Sequence, residues 1–176
     1  MEFFKHIFSR GLPKTGQETE YVAGDDATYQ AGWWLKRLIA NNRTRFVSKT
    51  IDGDVVVYDR ATGLYWTADG NEAGGNNGAT ISWTDAIPYA LALDFAGFTD
   101  WRIPNAKETQ SIINYGKRGP AIDEPPFINT AVAYHWTSTT CFYATQNAFT
   151  FSGDGGSIGV GAKTDSKNIR CVRCGV

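Results

Sequence analysis

The sequence predicts an α+β domain in which two helices pack on antiparallel sheets. Three observations predict it: β-branched and aromatic runs before residue 70, two capped helical segments between residues 82 and 116, and more short apolar runs after residue 134. Strands and helices do not alternate as they do in parallel βαβ units, so antiparallel pairing is expected. A chain of 176 residues is one domain's length.

The first 45 residues are predicted to be an extended N-terminal lead that packs on a main body of residues 46–176. Turn chemistry at residues 11–16 and 24–26 supports this division. A run of apolar residues then has spacings compatible with a short helix that ends at Asn41. The run comprises Trp33, Trp34, Leu35, Leu38 and Ile39.

The main body opens with three predicted strands, at residues 46–47, 55–58 and 64–66. Tight turns at 52–54 and 62–63 join them, because Asp-Gly and Thr-Gly pairs are typical of turns. The Gly/Asn-rich stretch that follows, residues 71–78, is predicted to be a loop.

Two helices are predicted next. Ser82 or Thr84 caps the first, Pro88 falls in its opening turn, and the helix continues through Leu91, Leu93 and Phe95 to Gly97.

The second helix begins with a capping box formed by Asn105 and Glu108, carries Ile112 and Ile113, and ends at Gly116.

The last fifty residues are predicted to form four strands of one antiparallel sheet, after an irregular stretch at 120–127. The strands are placed at 134–136, 148–151, 158–160 and 169–173. A hairpin turn is expected at Asp154-Gly155-Gly156.

The charge balance limits the partners of this chain. Seventeen Lys and Arg against 18 Asp and Glu give a net charge of -1, whereas nucleic-acid binders and polybasic membrane anchors need clustered positive charge. No apolar run approaches the roughly 20 residues of a membrane span, and Lys5 and His6 interrupt the opening apolar run too early for a signal peptide. We therefore expect no nucleic-acid partner and no membrane insertion.

Catalytic and metal chemistry find little support in the sequence. His6 and His135 have no companion motif, and His135 is expected to pack or to hydrogen-bond. Cys171 and Cys174 have redox-motif spacing but lie on a predicted C-terminal strand rather than at a helix start, so ordinary thiols in a reducing compartment are expected. No zinc or calcium motif and no phosphate loop is present, so we expect no metal, no cofactor and no enzyme activity.

The connection between the two helices, residues 100–104, places Trp101 between Asp100 and Arg102 and ends in a proline. A buried ring and a buried ion pair that fix the connection in the core are the favoured interpretation. A binding loop is the alternative.

Several segments, in this order and spacing, resemble the family named after the C-terminal domain of the Legionella collagen-like protein. They lie at 13–17, 24–26, 62–66, 83–86, 100–108, 136–140 and 169–173. The resemblance covers most of the chain. It implies a C-type lectin-like fold, in the branch shared with formylglycine-generating enzymes and with the variable proteins of diversity-generating retroelements.

The resemblance also implies a ligand surface built from the C-terminal segment, about residues 135–170. In retroelement-diversified relatives, mutagenesis at adenines changes this segment while the framework stays constant. The candidate ligand-binding residues are those of types reachable in this way: Cys141, Phe142, Tyr143, Thr145, Asn147, Ser157, Gly159, Val160, Gly161, Asp165 and Asn168. Whether Phe142 and Tyr143 are displayed or close the core is left open by the alternation of residues.

We therefore expect a non-enzymatic protein that binds an unknown protein or glycan through a diversified surface. A fixed polysaccharide-binding adhesin domain is the first alternative, and a cysteine-dependent enzyme related to formylglycine-generating enzymes is the second. The calcium motifs of animal lectins are absent, the nearest string being Glu124-Pro125-Pro126. The active-site cysteines of formylglycine-generating enzymes have no clear counterparts among Cys141, Cys171 and Cys174.

Overall fold

Antiparallel strand pairing organises the chain in this computed structural model, which describes residues 12–29, 31–32, 37–38 and 43–175. In chain order the elements are α1 (Asp26–Tyr29), β1 (Arg37–Leu38), β2 (Arg43–Thr44), β3 (Phe46–Ile51), β4 (Asp54–Asp59), β5 (Leu64–Thr67), a 3-10 segment (Ala73–Gly78), β6 (Ile81–Ser82), α2 (Trp83–Leu91), α3 (Ala106–Ile112), β7 (Tyr134–Thr140), β8 (Asn147–Ser152), β9 (Ile158–Ala162), β10 (Ser166–Lys167) and β11 (Val172–Cys174).

Two sheets carry most of the strand structure. One is four-stranded in the order β11-β5-β4-β3, and the other is three-stranded in the order β7-β8-β9. Two short pairs, β1 with β2 and β6 with β10, complete the pairing of the strands given above, and each of these strand pairs is antiparallel. Isolated bridges outside the strand pairs include two parallel ones, Asp69 with Ile128 and His135 with Asn168. The α+β class with antiparallel sheets is therefore confirmed.

The β3–β4 hairpin has the turn that its sequence predicts. Asp52 and Gly53 both have positive φ, 50° and 92°, which is the backbone that a two-residue hairpin turn needs to match strand twist. Beyond the following turn at Gly63 (φ 76°), β5 pairs with β4. The predicted loop at 71–78 differs in that it contains the 3-10 segment, in which Asn76 and Asn77 leave helical geometry.

Helix α2 begins as predicted but ends early. Ser82 is its cap, accepting a hydrogen bond from the Asp85 N–H, and Pro88 lies in the second turn rather than the first. The helix stops at Leu91 instead of continuing to Gly97.

A tight turn explains this early end. Phe95 and Phe98 exchange two backbone hydrogen bonds of 3.1 Å across Ala96 (φ 55°) and Gly97 (φ 70°). The turn directs Leu93 and Phe95 into the core, where both are buried.

Helix α3 has the predicted capping box. The Asn105 side chain accepts from the N–H groups of Lys107 and Glu108, and the Glu108 carboxylate accepts from the Asn105 N–H. The helix ends at Ile112 rather than Gly116, because Ile113 turns into an extended bridge with Ile122.

Three tryptophans fill the core and are fully buried: Trp66, Trp101 and Trp136. The Trp101 indole donates to the Phe95 carbonyl, and the Trp136 indole donates to the Ile81 carbonyl, both at 2.9 Å. Trp101 therefore confirms the predicted buried ring in the helix connection.

The predicted ion pair beside that ring is wrong, because the two charges pair with other elements. Arg102 forms a two-pronged contact with Glu108 at 2.7 and 2.6 Å. Asp100 accepts from Arg173 at 2.6 Å.

The prediction of four C-terminal strands in one sheet is also wrong. Only β7, β8 and β9 form that sheet, and β11 crosses back to pair with β5. On its other side Val172 exchanges backbone hydrogen bonds with Arg102, at 2.9 and 3.0 Å.

Buried Arg170 fixes the point where the chain crosses back. Its guanidinium donates to the carbonyls of Thr67, Ala68 and Ile128 and to the Thr130 hydroxyl, at 2.6 to 3.3 Å. Burial lowers the pKa of Arg170 to about 10, and the charges of Glu124 and Asp69 oppose that shift. Arg170 therefore stays charged at neutral pH.

The N-terminal lead is described only in part. Thr15 accepts a backbone hydrogen bond from Tyr115 at 2.7 Å, and Gly16 is packed against Asn114, so this part contacts the main body. The predicted helix is wrong at Arg37–Leu38, which form β1, while Trp33, Trp34, Leu35 and Ile39 lie outside the described residues. No helix among the described residues is long and apolar enough to cross a membrane.

The buried ion pair between Arg45 and Asp59 provides a stability test. Arg45 donates to Asp59 at 2.8 and 2.7 Å, and their side chains are 1% and 0% exposed. We expect Asp59→Ala to lower the free energy of unfolding by about 3–5 kcal/mol, because it leaves a buried charge without its partner. Denaturant unfolding measures this loss.

The matched control is Asp154→Ala, which removes the exposed pair with Arg118. Its free energy of unfolding should stay at the wild-type value, since exposed pairs contribute little. Equal losses in the two variants would contradict the assignment of the Arg45–Asp59 pair as a core interaction.

Candidate ligand-binding surface

The three-stranded sheet positions most of the candidate residues. Trp136 pairs with Thr150 and Phe149 with Val160, so their side chains lie on opposite faces of the sheet. One face carries Trp136 and Thr150, the other Phe149 and Val160. A register shift between Trp136 and Thr140 interrupts the pairing where β7 approaches its turn.

We call the turn 141–146 between β7 and β8, together with the turn 163–165 after β9, the distal tip. Phe142 is 84% exposed and Tyr143 is 67% exposed, and their rings form an edge-to-face pair with centroids 5.3 Å apart. Thr145 and Asp165 are also exposed, and Asn147 is half-buried at the start of β8. The structure therefore brings five of the predicted site residues to one end of the sheet.

Backbone hydrogen bonds hold the distal tip. Cys141 donates to the Asn147 carbonyl at 3.0 Å, and Asn147 donates to the Ala144 carbonyl at 2.8 Å. Lys163 donates to the Gln146 carbonyl at 2.9 Å, which joins the two turns. Main-chain hydrogen bonds thus help to fix the shape of the tip.

Cys141 is the one residue of the turn 141–146 whose side chain is fully buried, so it lies beneath the exposed side chains of the tip. Hydrogen bonding to the Cys141 thiol raises the pKa of Tyr143 above its ordinary value. Cys141 therefore neighbours Tyr143 from the buried side and presents no surface of its own to a partner.

Sequence reasoning missed the pair formed by Trp83 and Lys163 beside the tip. The Lys163 ammonium lies 4.0 Å from the centroid of the Trp83 ring and donates to the Thr140 hydroxyl at 2.9 Å. The Trp83 indole donates to the Thr137 carbonyl at 2.8 Å. The cation–π contact attaches the start of α2 to the tip, and the two hydrogen bonds attach Trp83 and Lys163 to β7.

The three candidates on β9 differ in what they face. Val160 is 42% exposed, and a side chain at Gly159 would meet Thr150 only at an ordinary 3.6 Å. A side chain at Gly161 would lie 2.4 Å from Lys167 and 3.4 Å from Trp136. Gly161 therefore makes room for the Lys167 side chain and is not part of an open surface.

Two candidates lie away from the tip. Ser157 is exposed at the opposite end of the β8–β9 hairpin, next to the predicted turn at 154–156. Asn168 is 8% exposed and exchanges backbone hydrogen bonds with Trp136 and Tyr134 at the outer edge of β7. The structure does not bring Ser157 or Asn168 together with Phe142 and Tyr143.

His135 is buried beside Asn168. Its ring stacks on Phe151 with centroids 4.5 Å apart, and Nδ1 donates to the Ala133 carbonyl at 3.2 Å. Burial, helped by the charge of Arg170, lowers the pKa of His135 from 6.5 to about 3. The packing and hydrogen bonding expected for His135 are confirmed.

The three cysteines are free thiols in different surroundings. Cys141 and Cys171 are buried, whereas Cys174 is exposed. Burial raises the pKa of Cys171 to about 12, so this thiol stays protonated at neutral pH. No group of three or more His, Cys, Asp or Glu side chains suited to a metal ion occurs among the described residues.

The framework around this surface has a counterpart among known protein families. A family model described as the Lcl C-terminal domain matches residues 55–173, from β4 through the distal tip to β11. The chain belongs to the Lcl C-terminal domain family. No curated protein matches it. Membership of the Lcl C-terminal domain family makes the α+β architecture a C-type lectin-like fold.

The low pKa of His135 predicts a pH-dependent stability. Because the folded-state pKa lies below the unfolded-state value, the unfolded chain binds the proton more readily. The contribution of neutral His135 to the free energy of unfolding is complete above about pH 6.5. It is lost as the pH falls toward 3, by at most about 1.4 kcal/mol per pH unit. Urea unfolding at a series of pH values measures it.

The variant His135→Phe keeps a ring against Phe151 and removes the titrating imidazole. It therefore separates the pH dependence caused by His135 from the pH dependence caused by carboxylates. The variant should show a shallower loss of stability between pH 6.5 and 4.5 than the wild type. Identical slopes for the two proteins would contradict the burial of a neutral imidazole.

The cysteine environments predict thiol reactivity. In the native protein, an aromatic disulfide reagent should modify Cys174 and leave Cys141 and Cys171 unmodified until the chain unfolds. Cys174→Ser should remove the native signal. Fast modification of Cys171 below pH 7 would contradict its raised pKa.

Proposed function

We propose that this member of the Lcl C-terminal domain family is a non-enzymatic ligand-binding protein, and that its distal tip contacts a protein or glycan partner. The finer proposal is that it is the variable protein of a diversity-generating retroelement, in which the tip residues change while the framework stays constant. The C-type lectin-like scaffold supports the first statement.

The exposed aromatic pair carries the proposal. Phe142 and Tyr143 place two large rings in solvent at the end of a hairpin that main-chain hydrogen bonds hold together. Aromatic side chains provide large contact area at low cost in conformational entropy, which is why binding loops use them. The core does not need these rings, so a role in contact with a partner accounts for their exposure.

The division between buried and exposed positions supports diversification. Trp136, Thr137, Ala148 and Thr150 are all buried at 0 to 1% exposure, whereas Phe142, Tyr143, Thr145 and Asp165 at the tip are exposed. Replacement of an exposed side chain creates no cavity in the core. A varied tip on a constant framework is therefore compatible with the fold.

The surroundings of the cysteines favour binding over cysteine-dependent catalysis. A nucleophilic cysteine needs a lowered pKa and access to substrate. Cys171 has a raised pKa and is buried, and Cys141 is buried as well.

Sequencing the gene in a natural population tests the finer proposal. We expect substitutions at adenine-derived positions of the codons for the exposed residues between 141 and 168, with Trp136, Thr150 and Ile169 constant. A uniform sequence across the population would overturn diversification and favour a fixed polysaccharide-binding surface.

A triple variant tests the binding surface. Combined replacement of Phe142, Tyr143 and Asp165 by serine should abolish binding on an array of glycans and displayed extracellular domains, with the Tm nearly unchanged. Leu91→Ser and Tyr115→Ser, which alter exposed apolar residues away from the tip, should bind as the wild type does. Collapse of the triple variant's fold would contradict the assignment of these residues to a surface.

A further inference from the structure

The outer edge of β9 has unpaired peptide groups. Flanking hydrogen bonds from Ser152 N–H to the Ser157 carbonyl and from Lys163 N–H to the Gln146 carbonyl, both 2.9 Å, fix which residues face β8. Hydrogen bonding alternates along an antiparallel strand, so the peptide groups of Gly159 and Gly161 bond to β8. The N–H and C=O groups of Ile158, Val160 and Ala162 therefore point away from β8.

Only one of these six outward N–H and C=O groups has a partner among the described residues. The Ala162 carbonyl accepts from the Asp165 N–H at 2.9 Å. The groups of Ile158 and Val160 and the N–H of Ala162 have no such partner.

The other outer strands of the two main sheets are covered or charged. Asn168 hydrogen-bonds along the outer edge of β7, and Arg102 does so along β11. Strand β3 carries exposed Lys49. Charges and coverage of this kind are how proteins prevent edge-to-edge pairing.

Strand β9 lacks these devices. Residues 157–162 contain no charge and no proline, and all five pairs with β8 are in regular register. The nearest charge, Lys163, is turned away, because its ammonium is held by Thr140 and lies over Trp83.

We propose that β9 pairs with β9 of a second copy of this chain, antiparallel about a two-fold axis at Val160. The outward groups lie at 158, 160 and 162, symmetrically about Val160, so each N–H meets a carbonyl of the other copy. Val160 faces Val160 of the second copy, and Ile158 faces its Ala162. The result is a six-stranded sheet that runs through both copies.

The side chains of β9 fit the same arrangement. Ile158, Val160 and Ala162 share one face with Phe149 and Phe151, so the pairing extends an apolar strip across the axis. On the opposite face the glycines carry no side chains to obstruct a neighbouring strand. No like charges oppose each other, because Lys163 comes level with uncharged Ser157 of the second copy.

The edge pairing is independent of the proposed ligand binding. Antiparallel pairing directs the two distal tips away from each other, and Phe142 and Tyr143 take no part in it.

Sedimentation of the purified chain at increasing concentration tests the proposal. We expect a monomer–dimer equilibrium whose dissociation constant rises at least tenfold in Val160→Lys, since two ammonium groups then face each other at the axis. The control, Val132→Lys, places the same charge at an exposed apolar residue outside the edge and should dimerise as the wild type does. Thermal unfolding verifies that both variants are folded.

Amide hydrogen exchange supplies the second measurement on the unaltered chain. The amides of Ile158, Val160 and Ala162 should exchange more slowly at high than at low protein concentration, while those of Gly159 and Gly161 stay constant. A monomer at every concentration, an equal response of the two lysine variants, or unchanged exchange at Val160 would each overturn the proposal.

Discussion

The buried guanidinium of Arg170 is the constraint on which the rest of the structure depends. It is wholly enclosed, and its Nη1 and Nη2 atoms supply donors to carbonyls at the end of β5 and to the segment 128–130. The carbonyls of Ala68 and Ile128 also accept from the N–H groups of Ile128 and Gly70, but Arg170 is the only donor described for the Thr67 carbonyl. An apolar residue at 170 would leave that buried carbonyl unpaired, which costs more than the net loss of one hydrogen bond. Since β11 begins two residues later, this anchor also determines where the chain re-enters the first sheet.

The anchor has consequences on both sides of the molecule. On one side, β11 becomes a strand between β5 and Arg102, and Arg173 reaches Asp100. On the other side, Asn168 is held along β7 and the Arg170 charge helps to keep His135 neutral. The three-stranded sheet is thereby fixed at its start, while its distal tip projects roughly 20 Å away, the length of a seven-residue strand. The buried Arg170 anchor and the exposed distal tip thus lie at opposite ends of the same strands.

Local signals made much of the fold predictable. The capping box at Asn105, the Asp-Gly turn at Gly53 and the β-branched and aromatic runs of β3 to β5 act within a few residues, and the structure contains each of them. The end of α2 was not predictable in this way. It depends on a tight turn at Ala96, a residue type that rarely adopts positive φ, and on a core that draws in Leu93 and Phe95.

The candidate surface was also predictable only where it depends on residues close together in sequence. Phe142 and Tyr143 are adjacent in sequence, so they were identified together. Their orientation was not, because a register shift in β7 breaks the alternation just before them. Trp83 and Lys163 were missed since they meet only in the folded chain. The burial of Cys141, and the assignment of β11 to the first sheet, likewise depend on distant partners.

The position of β11 makes folding depend on the reading frame of the gene. The strand is encoded after the segment that forms the distal tip, yet it completes a sheet whose other strands are encoded before that segment. An insertion or deletion that shifts the reading frame within the tip would replace Arg170 and β11 with unrelated sequence. The product would lack both the anchor and the last strand. Only codon changes that preserve the frame therefore yield a folded protein, so folding itself requires an intact frame downstream of the tip.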